Sequence, residues 1–97
     1  MNVMTQPRKL ARIFKALSVD TRVRMVQLLK QRALCVNALA MRLEITPAAV
    51  SQHLRILRDA DLVTPDKRGY YVHYDINRKT LAEWRKMTAE LLRRRAE

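Results

Sequence analysis

A chain of 97 residues with 20 Lys+Arg against 9 Asp+Glu, a formal charge of +11, is expected to meet a polyanion. A single glycine leaves no material for a glycine-rich phosphate loop, and a single cysteine, Cys35, excludes an intramolecular disulfide and suits a reducing compartment. The length fits one domain over 1–97, small enough to gain stability by pairing, so a homodimer is expected from size.

The opening "MNVMTQPRKLARIF" holds no apolar core of signal-peptide length, and no run of about 18 apolar residues occurs anywhere. The chain therefore reads as soluble and cytoplasmic, with no membrane partner. Pro7 suits a first helical position, and Leu10, Ile13, Phe14 and Leu17 line one face of a first helix ending near Leu17. Ser18 is positioned to cap a second helix, with Asp20 in its first turn where the helix dipole favours an anion. That helix is expected to run to about Arg32, burying Val23, Val26 or Met25, and Leu29. A short third helix runs from Val36 or Asn37 to Leu43 with Leu39 and Leu43 on its apolar side. "EIT" then turns the chain, Thr46 acting as N-cap and Pro47 as the first helical residue.

The fourth helix opens "TPAAVSQHLRILRDADLV" and ends near Ala60 or Asp61. Val50, Leu54 and Leu57 recur at i, i+4 and i+7, and at about 100° per residue Ala48, Ser51, Gln52 and Arg55 fall on the opposite side. That outer side is small, hydrogen-bonding and cationic. Ala48 and Ala49 in the first turn permit close approach of another surface, and Ser51 and Gln52 can exchange hydrogen bonds with it. A helix lying in the major groove of double-stranded DNA needs this combination. For His53, at the edge of the apolar stripe, a DNA contact and a structural hydrogen bond are both open.

After Leu62–Thr64 the pattern becomes that of a strand, followed by the charged turn "PDKRG" and a second strand, "YYVHYDI". This predicts a hairpin with a basic tip, Lys67, Arg68, Gly69 and Tyr70, with Gly69 where positive φ is needed. Asn77 is positioned to cap a last helix with Leu81, Trp84, Thr88, Leu91 and Leu92 on one stripe. The order is thus mostly α with a short β element. Helices three and four form a helix-turn-helix, the hairpin is a wing beside it, and a terminal helix follows.

Three stretches resemble the ArsR/SmtB family of bacterial repressors: "FKALSVDTRVRMVQLL" over the second helix, "LCVNALAMRLEITPAAVSQHLRILRDADLV" over the helix-turn-helix, and "KRGYYVHYDI" over the wing. The resemblance implies a dimeric winged helix-turn-helix that represses transcription at a palindromic operator and leaves DNA when an inducer binds. DNA contacts are accordingly expected from Thr46, Ala48, Ala49, Ser51, Gln52, His53 and Arg55 on the recognition helix and Lys67, Arg68, Gly69 and Tyr70 on the wing, Tyr70 standing where the family usually has Arg. It places the dimer interface on the first and last helices, through Leu10, Ile13, Phe14, Leu81, Trp84, Thr88 and Leu91.

Departures from the pattern bear on the inducer. Metal-sensing relatives with a third-helix site use Cys-Val-Cys; here Cys35 is followed two residues later by Asn37. Relatives binding zinc between their last helices use Asp, His and Glu there, whereas 78–97 holds neither His nor Asp. No metal and no cofactor is expected, the inducer is unassigned, and Cys35 reads as a small hydrophobe. His53 and His73, one thiol and no clustered carboxylates make no nucleophile–base constellation, so no enzyme is expected. A winged-helix module for protein interaction or RNA binding is the alternative reading.

Overall fold

A computed structural model describes residues 6–95. Along the chain run α1 (Pro7–Ala16), α2 (Asp20–Leu29), β1 (Leu34–Cys35), α3 (Val36–Leu43), α4 (Pro47–Asp59), β2 (Val63–Arg68), β3 (Tyr71–Ile76) and α5 (Arg78–Leu92). The first five residues of the opening segment lie outside the described part.

The apolar stripes meet in one core. Met25 and Leu29 of α2, Leu39 and Leu43 of α3, and Val50, Leu54 and Leu57 of α4 are all buried, together with Leu10, Ile13, Trp84 and Met87 from the first and last helices. Each such aliphatic side chain contributes roughly 1.5–3 kcal/mol when taken out of water. The α4 stripe thus fixes which side of that helix faces inward.

Two helix starts follow their sequence signals. The Thr46 hydroxyl accepts from the Ala49 N–H at 3.1 Å, and the Asn77 side chain accepts from the Thr80 N–H at 3.3 Å. Ser18 does not cap α2. Its hydroxyl instead donates to the Lys15 carbonyl at 2.7 Å, closing the end of α1, and the N-cap of α2 is Val19, which has no side-chain acceptor to offer. Helix α2 stops at Leu29 rather than Arg32, and Val23 turns outward while Arg22 is buried in its stead.

The turns depend on left-handed residues. Glu44 (φ 56°) breaks α3 from α4, and Asp61 (φ 68°) ends α4. At Asp61 the Leu62 N–H reaches the Leu57 carbonyl at 2.9 Å and the Asp61 N–H reaches that of Arg58 at 2.9 Å, the paired bonds of a Schellman motif. Leu62 is thereby driven into the core and the chain is aimed into β2.

The sheet has three antiparallel strands in the order β1-β3-β2. β1, only two residues long, has no counterpart in the sequence reading. The hairpin is also longer than expected: Pro65, Asp66, Lys67 and Arg68 are paired strand residues opposite Tyr74, His73, Val72 and Tyr71, leaving Gly69 and Tyr70 as the loop. Pro65 is tolerated because β2 is an edge strand with a side that needs no donor. Positive φ at Gly69 (64°), the first loop residue, without positive φ at Tyr70 is the pattern of a II′ hairpin turn. The Asn77 N–H donates to the Leu62 carbonyl at 2.8 Å, fastening the base of the hairpin to the start of α5.

Candidate nucleic-acid interface

Residues of α4 not used by the core form a continuous outward face. Ala48, Ser51, Gln52 and Arg55 are exposed there, with Thr46 and Pro47 exposed at the helix start and Ala49 half-buried. Arg58, which sequence reasoning did not single out, adds a second exposed guanidinium one turn beyond Arg55. Ser51, Arg55, Arg58 and Asp59 border a shallow depression floored by Leu54 and Tyr74, so the cationic edge of α4 continues towards β3. Among the described residues no ion pair engages Arg55, Arg58 or Lys67, which leaves their charge available to an outside anion.

The wing projects beside this face. Tyr70 is fully exposed at its tip and Gly69 has no atom within 4 Å of where a Cβ would stand. Arg68 is not free: its Nε donates to the Asp66 carboxylate at 3.0 Å along the same strand. Residues two apart on a strand share a face, but the sequence pattern placed "PDKRG" in a turn, so this tie emerges only with the longer strand. The charge the wing offers is therefore Lys67 in full and Arg68 in part.

His53 sits differently from its neighbours. It is half-buried on the border of α4 that turns to α2, and its Nδ1 lies 3.4 Å from Nη1 of Arg22. Since a guanidinium has only donors, His53 accepts. Arg22 also donates through Nε to the Ala16 carbonyl at 2.6 Å and through Nη2 to the Lys15 carbonyl at 3.2 Å. Nothing in the sequence flags Arg22, because its burial follows from where the end of α1 happens to stop.

Of the residues expected on the first and last helices, Leu10, Ile13 and Trp84 are buried within the chain itself, and Leu81 and Thr88 are half-buried. Thr88 returns its hydroxyl to the Trp84 carbonyl at 2.8 Å. Phe14 and Leu91, with Leu92, remain exposed. α1 and α5 lie side by side, joined by an ion pair of 2.8 Å between Lys9 and Glu83.

The metal donor sets named for the family do not fit. Cys35 is half-buried on β1, opposite His73 of β3, and Asn37 is exposed on α3. Glu83 and Glu90 of α5 are each paired with a cation, Lys9 and Arg93. Among the described residues no three His, Cys, Asp or Glu side chains converge as ligands. No helix of the described residues is long and apolar enough to cross a membrane.

A helix-turn-helix whose second helix turns a small, polar, cationic face outward, flanked by a two-stranded wing, defines the winged helix-turn-helix class of regulators. The model of the arsR family of bacterial regulatory proteins matches residues 20–64. The arsenical resistance operon repressor of Bacillus subtilis (strain 168) is 39% identical over 71 residues, 72% of this chain and 68% of that repressor. The transcriptional repressor SdpR of the same organism is 30% identical over 71 residues, 73% of this chain and 79% of its own length. Among solved structures, an ArsR-like transcriptional regulator from Rhodococcus sp. RHA1 superposes with a TM-score of 0.77 at 29% identity, covering 88% of this chain and 79% of that one. The chain belongs to the ArsR family of bacterial regulatory proteins.

Proposed function

We propose that the protein is a transcriptional repressor that binds double-stranded DNA in a sequence-specific manner as a homodimer, at a palindromic operator in the cytoplasm. The reading is carried by one observation: α4 commits Val50, Leu54 and Leu57 to the core while holding Ser51, Gln52 and Arg55 in solvent with no bulky side chain in its first turn. Such a helix enters a major groove with its amide and hydroxyl against base edges. Thr46, Ala48 and Ala49 lie against the backbone at its entry, and Lys67, Arg68, Gly69 and Tyr70 of the wing meet sugar and phosphate alongside. Base contacts set the sequence and phosphate contacts set orientation and affinity.

Pairing follows from Phe14, Leu91 and Leu92, apolar groups on neighbouring helices that a lone copy leaves wet. A two-fold pair sets two recognition helices about 34–36 Å apart, one turn of duplex. The donor chemistry argues against a metal inducer, and any small ligand would act between the paired helices near Trp84.

The test compares Gln52→Ala with Lys67→Ala on an operator selected from genomic fragments and on random duplex. Gln52→Ala is expected to weaken operator binding by about tenfold or more with little effect on random DNA, the size of a lost base contact. Lys67→Ala should weaken both equally. Equal losses from both variants on both DNAs, or preferential competition by RNA, would refute the assignment.

A further inference from the structure

Arg22 is the one charged side chain buried among the described residues. Its guanidinium spans three acceptors on two other elements: the Ala16 and Lys15 carbonyls that end α1, and Nδ1 of His53 on α4. The carbonyl end of a helix carries partial negative charge, so α1 offers a cation a natural seat. The fork of the guanidinium is rigid and planar, which fixes the direction of its remaining N–H bonds once Nε and Nη2 are engaged. His53 must then stand where Nη1 points. It directly follows Gln52, so the azimuth of α4 about its own axis, and with it the aim of Ser51 and Gln52, is tied to the end of α1.

We infer that His53 is a positioning residue rather than a base reader: by accepting from Arg22 it clamps the recognition helix to the end of α1, the helix proposed to lie at the dimer interface. The inference rests on the DNA-binding reading above and deepens it. It assigns the coupling between pairing and base reading to a side chain that touches neither the partner copy nor the DNA.

The two ring nitrogens allow a direct test. An Asn at position 53 offers its amide oxygen near the place of Nδ1, whereas a Gln offers its amide near the place of Nε2, the nitrogen that would face DNA. His53→Asn, His53→Gln and His53→Leu are compared for the ratio of operator to random-DNA affinity, with thermal unfolding of each variant recorded. The ratio is expected to stay within about twofold of the parent in His53→Asn and to fall about tenfold in His53→Gln and His53→Leu, the loss of one hydrogen bond from a charged donor. Retention by Gln with loss by Asn would make His53 a direct reader and overturn the inference, as would three equal results in either direction.

A second measurement needs no DNA. Proton signals of the Arg22 guanidinium, slowed in exchange by their acceptors, are expected in the parent and in His53→Asn, with the Nη1 signal lost in His53→Leu. Absence of any operator preference in the parent protein would remove the DNA-binding reading alone. An Nη1 signal unchanged in His53→Leu would remove the clamp alone.

Discussion

Asp66 is an acid on the wing, where the proposed role calls for cations. It holds Arg68 at 3.0 Å in a pair that is largely exposed on both sides, the kind of contact that solvent screens and a phosphate can replace. Asp66→Asn frees Arg68 and removes a negative charge from a surface proposed to approach a polyanion. Affinity for random duplex should therefore rise roughly two- to fivefold at low salt, the gain shrinking as salt increases. A fluorescence-anisotropy titration at two ionic strengths checks it, and unchanged affinity at low salt would detach the wing from the phosphates. At this scale the legible residues were those whose role is local. Thr46 and Asn77 cap because their oxygens need only reach three residues ahead, which spacing states outright. Ser18 was as good a capping candidate by type, yet its hydroxyl turned back to Lys15. Arg22 was illegible, since its acceptors lie on α1 and α4 and only packing brings them together.

The links from α3 to α4 and from α4 to β2 each contain one residue held in the left-handed region without being glycine: Glu44 at φ 56° and Asp61 at φ 68°. An L-residue there costs about 1–2 kcal/mol, and glycine returns part of that gain through its greater freedom when unfolded, about 0.5–1 kcal/mol. Asp61→Gly is thus expected to stabilise the fold by roughly 0.5–1 kcal/mol while the Leu62–Leu57 bond keeps the chain on course. Urea unfolding measures this, with an unchanged m-value; destabilisation would mean that the Asp61 side chain does something its backbone does not. The helices themselves were readable because an apolar period of 3.6 persists over two or more turns. The strands were read less well. β1 is too short to carry a period, and its partner β3 is distant in the sequence. Pro65 and three charged residues masked the extension of β2, because an edge strand accepts residues that a central one refuses.

On the reading proposed above, two copies of the chain act together at a palindrome, and three of the residues expected at their interface are already buried within a single copy. Leu10, Ile13 and Trp84 lie in the chain's own core, which a linear pattern cannot distinguish from an interface, so Phe14, Leu91 and Leu92 are the residues proposed to bear the association. Phe14→Glu, placed on a helix whose inner side it leaves intact, should raise the dimer dissociation constant strongly, as followed by sedimentation across a dilution series. Its effect on DNA then divides by mechanism. Counterion release makes the logarithm of affinity fall with the logarithm of salt at a slope of about −0.9 per phosphate neutralised. With roughly 6–10 phosphates neutralised per dimer, affinity should drop by about 10³–10⁵ between 50 and 200 mM salt. A monomer engages half of them, so Phe14→Glu should show about half the parent slope while keeping the base preference of a single half-site. Should Phe14→Glu prove monomeric and retain the full slope, a single chain would be covering the whole electrostatic footprint, and the two-fold arrangement of recognition helices would have to be abandoned.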